Sequence, residues 1–242
     1  MSTAYQMAQG TFNFAGLQSE NYGLWIEGGG TYAAPARKYN AYDVPGRNGA
    51  VTIDGGAYEE VEHTYRAFIA RDFAENVQSF RNDIMALKGA QRLTDTYHPE
   101  EFYLARYMRG LEPEVAPRAV GGRFDVTFTR DPRRFLISGE TTSTVASGGS
   151  LTNPTNYAAK PLIRVYGYGD LLVNDERVTI NSGFEYVDID SEIMDCYHAL
   201  DNANSRVTFQ NRDFPELRPG VNSFSYSGNI TSVQVTPRWW RL

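Results

Sequence analysis

Apolar residues in this chain alternate with polar ones far more often than they recur at helical spacing. In Arg123 to Arg130, Phe124, Val126 and Phe128 point one way while Asp125, Thr127 and Thr129 point the other. That is the period-two pattern of a half-buried strand. Tyr58 to Ala70 and Glu101 to Met108 are also predicted as strands. One segment departs from this period. Phe73, Val77, Phe80, Ile84 and Leu87 recur at spacings of four, three, four and three, which predicts a helix over about residues 72–88. Asp72 is placed as its N-cap, with Glu75 completing a capping box. Lys88-Gly89 would close it, with a cation in the last turn and then a glycine suited to a left-handed position.

A boundary is predicted near Ser138-Gly139, because Gly139 to Thr144 is small and polar as linkers are. Beyond it come short strands at close intervals: Leu162–Tyr166, Arg177–Ile180, Tyr186–Asp190, Val207–Gln210, Ser223–Tyr226 and Ser232–Thr236. Turn clusters such as Asn181-Ser182-Gly183 and Arg218-Pro219-Gly220 separate them, the signature of an antiparallel β-sandwich. The chain is therefore expected to be mainly β. Residues 1–138 form a β domain with one α-helix, and residues 139–242 form a β-sandwich.

Val44-Pro45-Gly46-Arg47-Asn48-Gly49 places two turn dipeptides almost back to back, and Asp54-Gly55 is expected to reverse the chain again. The stretch from about 40 to 60 predicts a projecting hairpin arm with little apolar mass of its own. Such an arm must pack on something else, and a neighbouring subunit is the natural candidate. Val44, Pro45, Arg47, Asn48, Asp54 and Tyr58 are its candidate interface residues.

Composition narrows the function classes. Aromatic residues reach 13%, with 16 Tyr and 13 Phe, which favours pleated surfaces. The net charge of −6 lacks the basic field that nucleic-acid binding requires. No apolar run is long enough to span a membrane, and Met1 to Gln6 shows no signal-peptide pattern. A single cysteine, Cys196, excludes an internal disulfide and suits a reducing cytoplasm.

Catalytic, cofactor and metal sites find little support. His63, His98 and His198 are widely separated and none has a second ligand at metal spacing. Cys196 between Asp195 and Tyr197 is expected to be a buried, inert thiol. Gly167-Tyr168-Gly169 lacks the third glycine and following helix of a dinucleotide loop, so a tight turn is expected. Asp188, Asp190 and Glu192 could form a calcium site or a glycosidase acid pair. The preferred reading is a solvent-facing edge with Val187, Ile189 and Ile193 turned inward. Glu59-Glu60-Val61-Glu62 is expected on the solvated side of a long strand. Arg130-Asp131-Pro132-Arg133-Arg134-Phe135 is locally basic with an aromatic and could contact nucleic acid, but one short cluster neutralises few phosphates, and an ion-paired turn or a subunit contact is expected. Trp239-Trp240 could stack on sugars, although core packing of a terminal strand is the commoner use.

Several segments together resemble the distal tail protein (Dit) family of long-tailed, siphovirus-type bacteriophages. Phe12-Asn13-Phe14-Ala15-Gly16 with Ser19 and Tyr22-Gly23-Leu24 resembles the family's opening, and Val44 to Gly49 with Asp54-Gly55 its arm hairpin. His98 to Arg106 is similar to the strand after its helix, and Pro161 to Gly167 to the start of its sandwich. Tyr186 to Tyr197, Asn204, Phe214 to Asn222 and Pro237 to Trp240 complete the match.

The resemblance implies a homohexameric ring around a channel, each arm wrapping its neighbour, with a galectin-like C-terminal sandwich outside it. It implies a baseplate hub joining the tail tube to the tail-tip protein at the virion tail tip, assembled in the host cytoplasm. It also implies a docking place for a receptor-binding protein, with DNA present only in transit. No enzyme activity, cofactor or membrane insertion is implied. The alternatives are a carbohydrate-binding module for host cell-wall glycans, using Trp239, Trp240 or surface tyrosines, and a glycoside hydrolase using Asp188, Asp190 or Glu192.

Overall fold

The computed structural model describes residues 10–28, 32–115 and 121–242. They fall into two compact units that divide between Arg134 and Phe135.

The first unit is built on an antiparallel sheet. Its strand order is Leu17–Gln18, Phe12–Phe14, Gln91–Asp95, Glu101–Tyr107, Gly122–Arg130, Val61–Ile69 and Leu24–Ile26. The long central pair runs in unbroken register from Gly122 opposite Ile69 to Arg130 opposite Val61. Alternation sorts its side chains, so Tyr65, Ala67, Ile69, Phe124, Val126 and Phe128 all enter one core. The predicted strand from Tyr58 is interrupted. Glu59 and Glu60 separate strand Val51–Tyr58 from strand Val61–Ile69.

The helix runs Phe73–Ala86, with Phe73, Phe80 and Ile84 buried and Val77 and Leu87 half-buried on the same core. Phe80 packs edge-on against Phe12 and Tyr22 and tilts against Phe124. The capping box does not form. Asp72 is left-handed, at φ 49°, and its side chain makes no cap hydrogen bond. A capping side chain needs an extended backbone to fold over the first turn, and the left-handed turn directs it elsewhere. At the other end Leu87 is already extended, so the left-handed Gly89 lies beyond the cap position.

The second unit is a two-sheet sandwich. One sheet orders Ser143–Val145, Ser232–Thr236, Leu162–Tyr166, Tyr186–Asp190, Asp195–His198 and Asp201–Asn202. The other orders Ser150–Asn153, Gly220–Tyr226, Gly169–Val173, Glu176–Ile180 and Val207–Phe209. Ile163, Val187, Val233, Leu171, Val178 and Phe224 meet between them in a single core. The segment expected to be a linker is part of this fold. Ser143–Val145 is an edge strand paired with Ser232–Thr236, and the Thr142 and Thr236 hydroxyls are 2.7 Å apart. Its small polar residues mark an edge strand's wet face rather than a tether. Gly139 is buried, and a Cβ there would lie 2.3 Å from the Trp239 nitrogen.

Candidate interaction arm and its root

Among the described residues, strands Arg37–Tyr42 and Val51–Tyr58 pair only with each other. Between them Val44-Pro45-Gly46-Arg47 closes a turn, with the Arg47 N–H donating to the Val44 carbonyl at 3.1 Å and Gly46 at φ 82°. Pro at the first corner and a left-handed Gly at the second make it a type II turn. The expected second reversal at Asp54-Gly55 is absent. Strand Val51–Tyr58 runs through it, and the register jumps from Lys38 opposite Ala57 to Tyr39 opposite Asp54. Gly55 and Gly56 are the extra residues of a bulge, with Gly56 at φ 69°. A side chain able to accept from the bulge stabilises it locally, so the residues that signal a turn are satisfied without reversing the chain. The Asp54 carboxylate accepts from the Gly56 N–H at 2.8 Å and from Arg37 at 2.8 Å, and these bonds hold its pKa below the usual carboxylate range.

Of the candidate interface residues, Val44, Pro45, Arg47 and Asn48 are exposed around the tip. Asp54 is engaged with Arg37, and half-buried Tyr58 lies under the Arg37 guanidinium at 5.2 Å. Three residues the sequence did not single out stand out here: Tyr39 is 63% exposed, Tyr42 53% and Ile53 55%. They lie on the paired strands rather than in the turn. Their spacing alone could not separate an apolar side chain that faces a core from one that faces outward.

The hairpin's root rests on a cluster of buried polar side chains in the first unit. Asp95 is its hub, accepting from the Tyr65 hydroxyl at 2.6 Å and from the Tyr97 and His98 N–H groups at 2.9 and 2.8 Å. Burial, then the Asp95 charge, raises the Tyr65 pKa well above 10. His63 packs against the Tyr65 and Tyr103 rings, and Arg130 lies over Tyr103 with its guanidinium 4.7 Å from the ring centre. Arg134 forms an ion pair with buried Glu101, and Arg133 with Asp131. The basic run is thus an ion-paired turn around one buried arginine.

The other candidate sites resolve into structure. The His198 Nδ1–H donates to the Tyr186 carbonyl at 2.9 Å, and the ring stacks on Phe184. Asp188 and Asp190 are buried rather than solvent-facing, in bidentate pairs with Arg164 and Arg238, while Ile193 is exposed. Desolvating two carboxylates on one strand requires such partners. Burial pushes the Cys196 thiol up to about 12. The tight turn at Gly167 brings its backbone to where a Cβ would lie 2.1 Å from the Asn229 carbonyl. Trp239 is buried, and Trp240 stacks on Tyr157 at 4.5 Å and donates to the Ala158 carbonyl. Glu60 and Glu62 form ion pairs with Arg106 and Arg109. Among the described residues no group of three or more His, Cys, Asp or Glu is placed to hold a metal, and no helix is long and apolar enough to cross a membrane.

No protein-family model matches the sequence, and no curated protein is similar to it in sequence. The fold is that of the SPP1 Dit protein (gp 19.1), described as a paradigm of the hub adsorption apparatus in phages that infect Gram-positive bacteria. The TM-score is 0.74 at 14% identity, over 96% of this chain and 99% of that one. Two chains of the phage P2 baseplate in its activated conformation, with Ca and with Sr, are 9% and 10% identical, with TM-scores of 0.49 and 0.48. They span 94% and 93% of this chain and 96% and 97% of their own.

Proposed function

We propose that this protein is a non-enzymatic structural subunit of a phage tail-tip hub, closing with five other copies into a ring through the hairpin Arg37–Tyr58. One observation carries the reading. A fold shared over 96% of the chain with a hub protein presents a two-stranded hairpin that pairs with no other strand among the described residues and exposes Tyr39, Tyr42 and Ile53. A lone hairpin is marginal in water, so one that exposes apolar side chains calls for a partner surface. Ring closure by head-to-tail contacts supplies that surface once per subunit. Val44, Pro45, Arg47 and Asn48 would then meet the neighbour at the tip, while Asp54 and Tyr58 hold the hairpin's shape. The ring would join the tail tube to the tail-tip protein and offer its outer sandwich to host-adsorption components.

Native mass spectrometry of the purified protein should show a six-fold species. Replacing Tyr39, Tyr42 and Ile53 together by serine should leave monomers with an unchanged melting temperature. Six-fold assembly by that triple variant would sink the arm reading.

A further inference from the structure

We propose that Arg130 is the positioning residue of the arm, fixing the hairpin's root to the sheet and so setting where its tip meets a neighbouring copy. This rests on the reading that the hairpin joins subunits.

The side chain lies where chemistry argues against it. Phe124, Val126, Phe128 and Arg130 form one inward-facing column, and Arg130 is 2% exposed at its end. Its hydrogen bonds go to neutral acceptors. The guanidinium donates to the Ala33 carbonyl at 3.0 Å and to the Asp131 carbonyl at 3.3 Å, while Nε has no partner among the described residues. Tyr103 supplies a π face on one side. Burying a cation against neutral acceptors is unfavourable, and an apolar side chain of similar volume often serves core stability as well or better. What the apolar side chain lacks is reach to a main-chain carbonyl with a rigid fork of donors.

That carbonyl belongs to the root of the arm. Ala33 lies just before strand Arg37–Tyr42, and the Ala36 carbonyl accepts from the Glu59 N–H at 2.8 Å, closing the neck. Past the neck the returning chain enters the sheet at Val61, directly opposite Arg130 in the register. The outgoing segment is therefore held by Arg130's side chain and the returning one by its main-chain pairing. Tyr32, next to Ala33, sits edge-on to His98, which Asp95 holds in turn. Removing the guanidinium keeps the returning segment's register with the sheet and takes away the outgoing segment's tie to Arg130 at Ala33, a change in the hairpin's direction rather than in the core.

The test uses the full chain with spin labels at Asp43→Cys and Asp125→Cys, both exposed positions outside the residues assigned to the subunit contact, since the native Cys196 is buried. Spin-diluted samples report the distance from arm tip to sheet within one subunit. The parent should give one narrow distance. Arg130→Met should broaden it while keeping the melting temperature, and Arg130→Lys, which can still donate to Ala33, should restore much of the narrow peak. By sedimentation, Arg130→Met should raise the concentration for half-assembly about tenfold, the size of one lost charge-assisted hydrogen bond. Should Arg130→Met fail to fold, Arg130→Gln takes its place with the same broadening expected. Rings with an unchanged distance in the Met or Gln variant would overturn the positioning role and leave the ring reading intact. A parent that stays monomeric, yet whose narrow distance broadens on substitution, would overturn the ring reading and support the positioning role.

Discussion

His63 is fully buried between the Tyr65 and Tyr103 rings, and neither of its nitrogens has a hydrogen-bond partner among the described residues. Burial above all, then the nearby Arg130 charge, lowers its pKa from 6.5 to about 4, with Asp95 opposing and His98 and Arg134 adding to the shift. The native protein therefore holds His63 neutral, whereas an unfolded chain binds a proton there below about pH 6.5. Stability should fall as pH drops from about 6.5 through 4 and level off beneath, by roughly 3 kcal/mol at about 1.4 kcal/mol per pKa unit. Urea titrations at about pH 7.5 and pH 4.5 should show this loss in the parent and most of it removed in His63→Phe. An equal loss in both would assign the acid sensitivity to another group. The positions of both buried bases were legible in the alternation. Carrying the Phe124, Val126, Phe128 series two residues on lands on Arg130, and His63 shares the phase of Val61 and Tyr65. Their burial was not legible, because a charged or titratable side chain at a strand's end is ordinarily solvated, and the rings that cover it come from distant segments.

At the scale of elements, periodicity carried more of the fold than capping chemistry did. The helix's apolar stripe is on the core, while the Asp72-Glu75 box gave way to a left-handed entry. Burying an apolar face stabilises a helix more than its local end contacts do, so the packing is kept and the cap is lost. The same ranking separates residues within the stripe. Phe80 touches three aromatic rings at 0% exposure, whereas Val77 is only half-buried. Phe80→Ala should destabilise the first unit by about 3–5 kcal/mol and Val77→Ala by about 1, measured by chemical denaturation. Equal effects would mean the helix is held by something other than this contact. Turn chemistry was informative where the turn is short: Val44 to Arg47 is the turn its residues specify. It misled at Asp54-Gly55-Gly56, because the same residues serve a bulge inside a strand, and only the partner strand decides which of the two is made.

At the scale of the whole molecule, each unit has its own core, drawn from different residues and closed by different aromatics. Two cores of this kind can lose cooperativity independently, and then a single unfolding free energy is not defined. Calorimetry of the intact chain is expected to resolve two transitions. Phe80→Ala should lower one of them, because Phe80 belongs to the first core. Gly139→Ala should lower the other by about 2 kcal/mol, because a methyl group placed 2.3 Å from the Trp239 nitrogen forces the second unit's backbone apart. That second substitution also separates two roles for residues 139–144. A tether would accept alanine without a change in melting, whereas a segment built into the sandwich cannot. One transition lowered by both variants would show that the two units unfold together. A Gly139→Ala protein that melts like its parent would return that segment to the status of a linker.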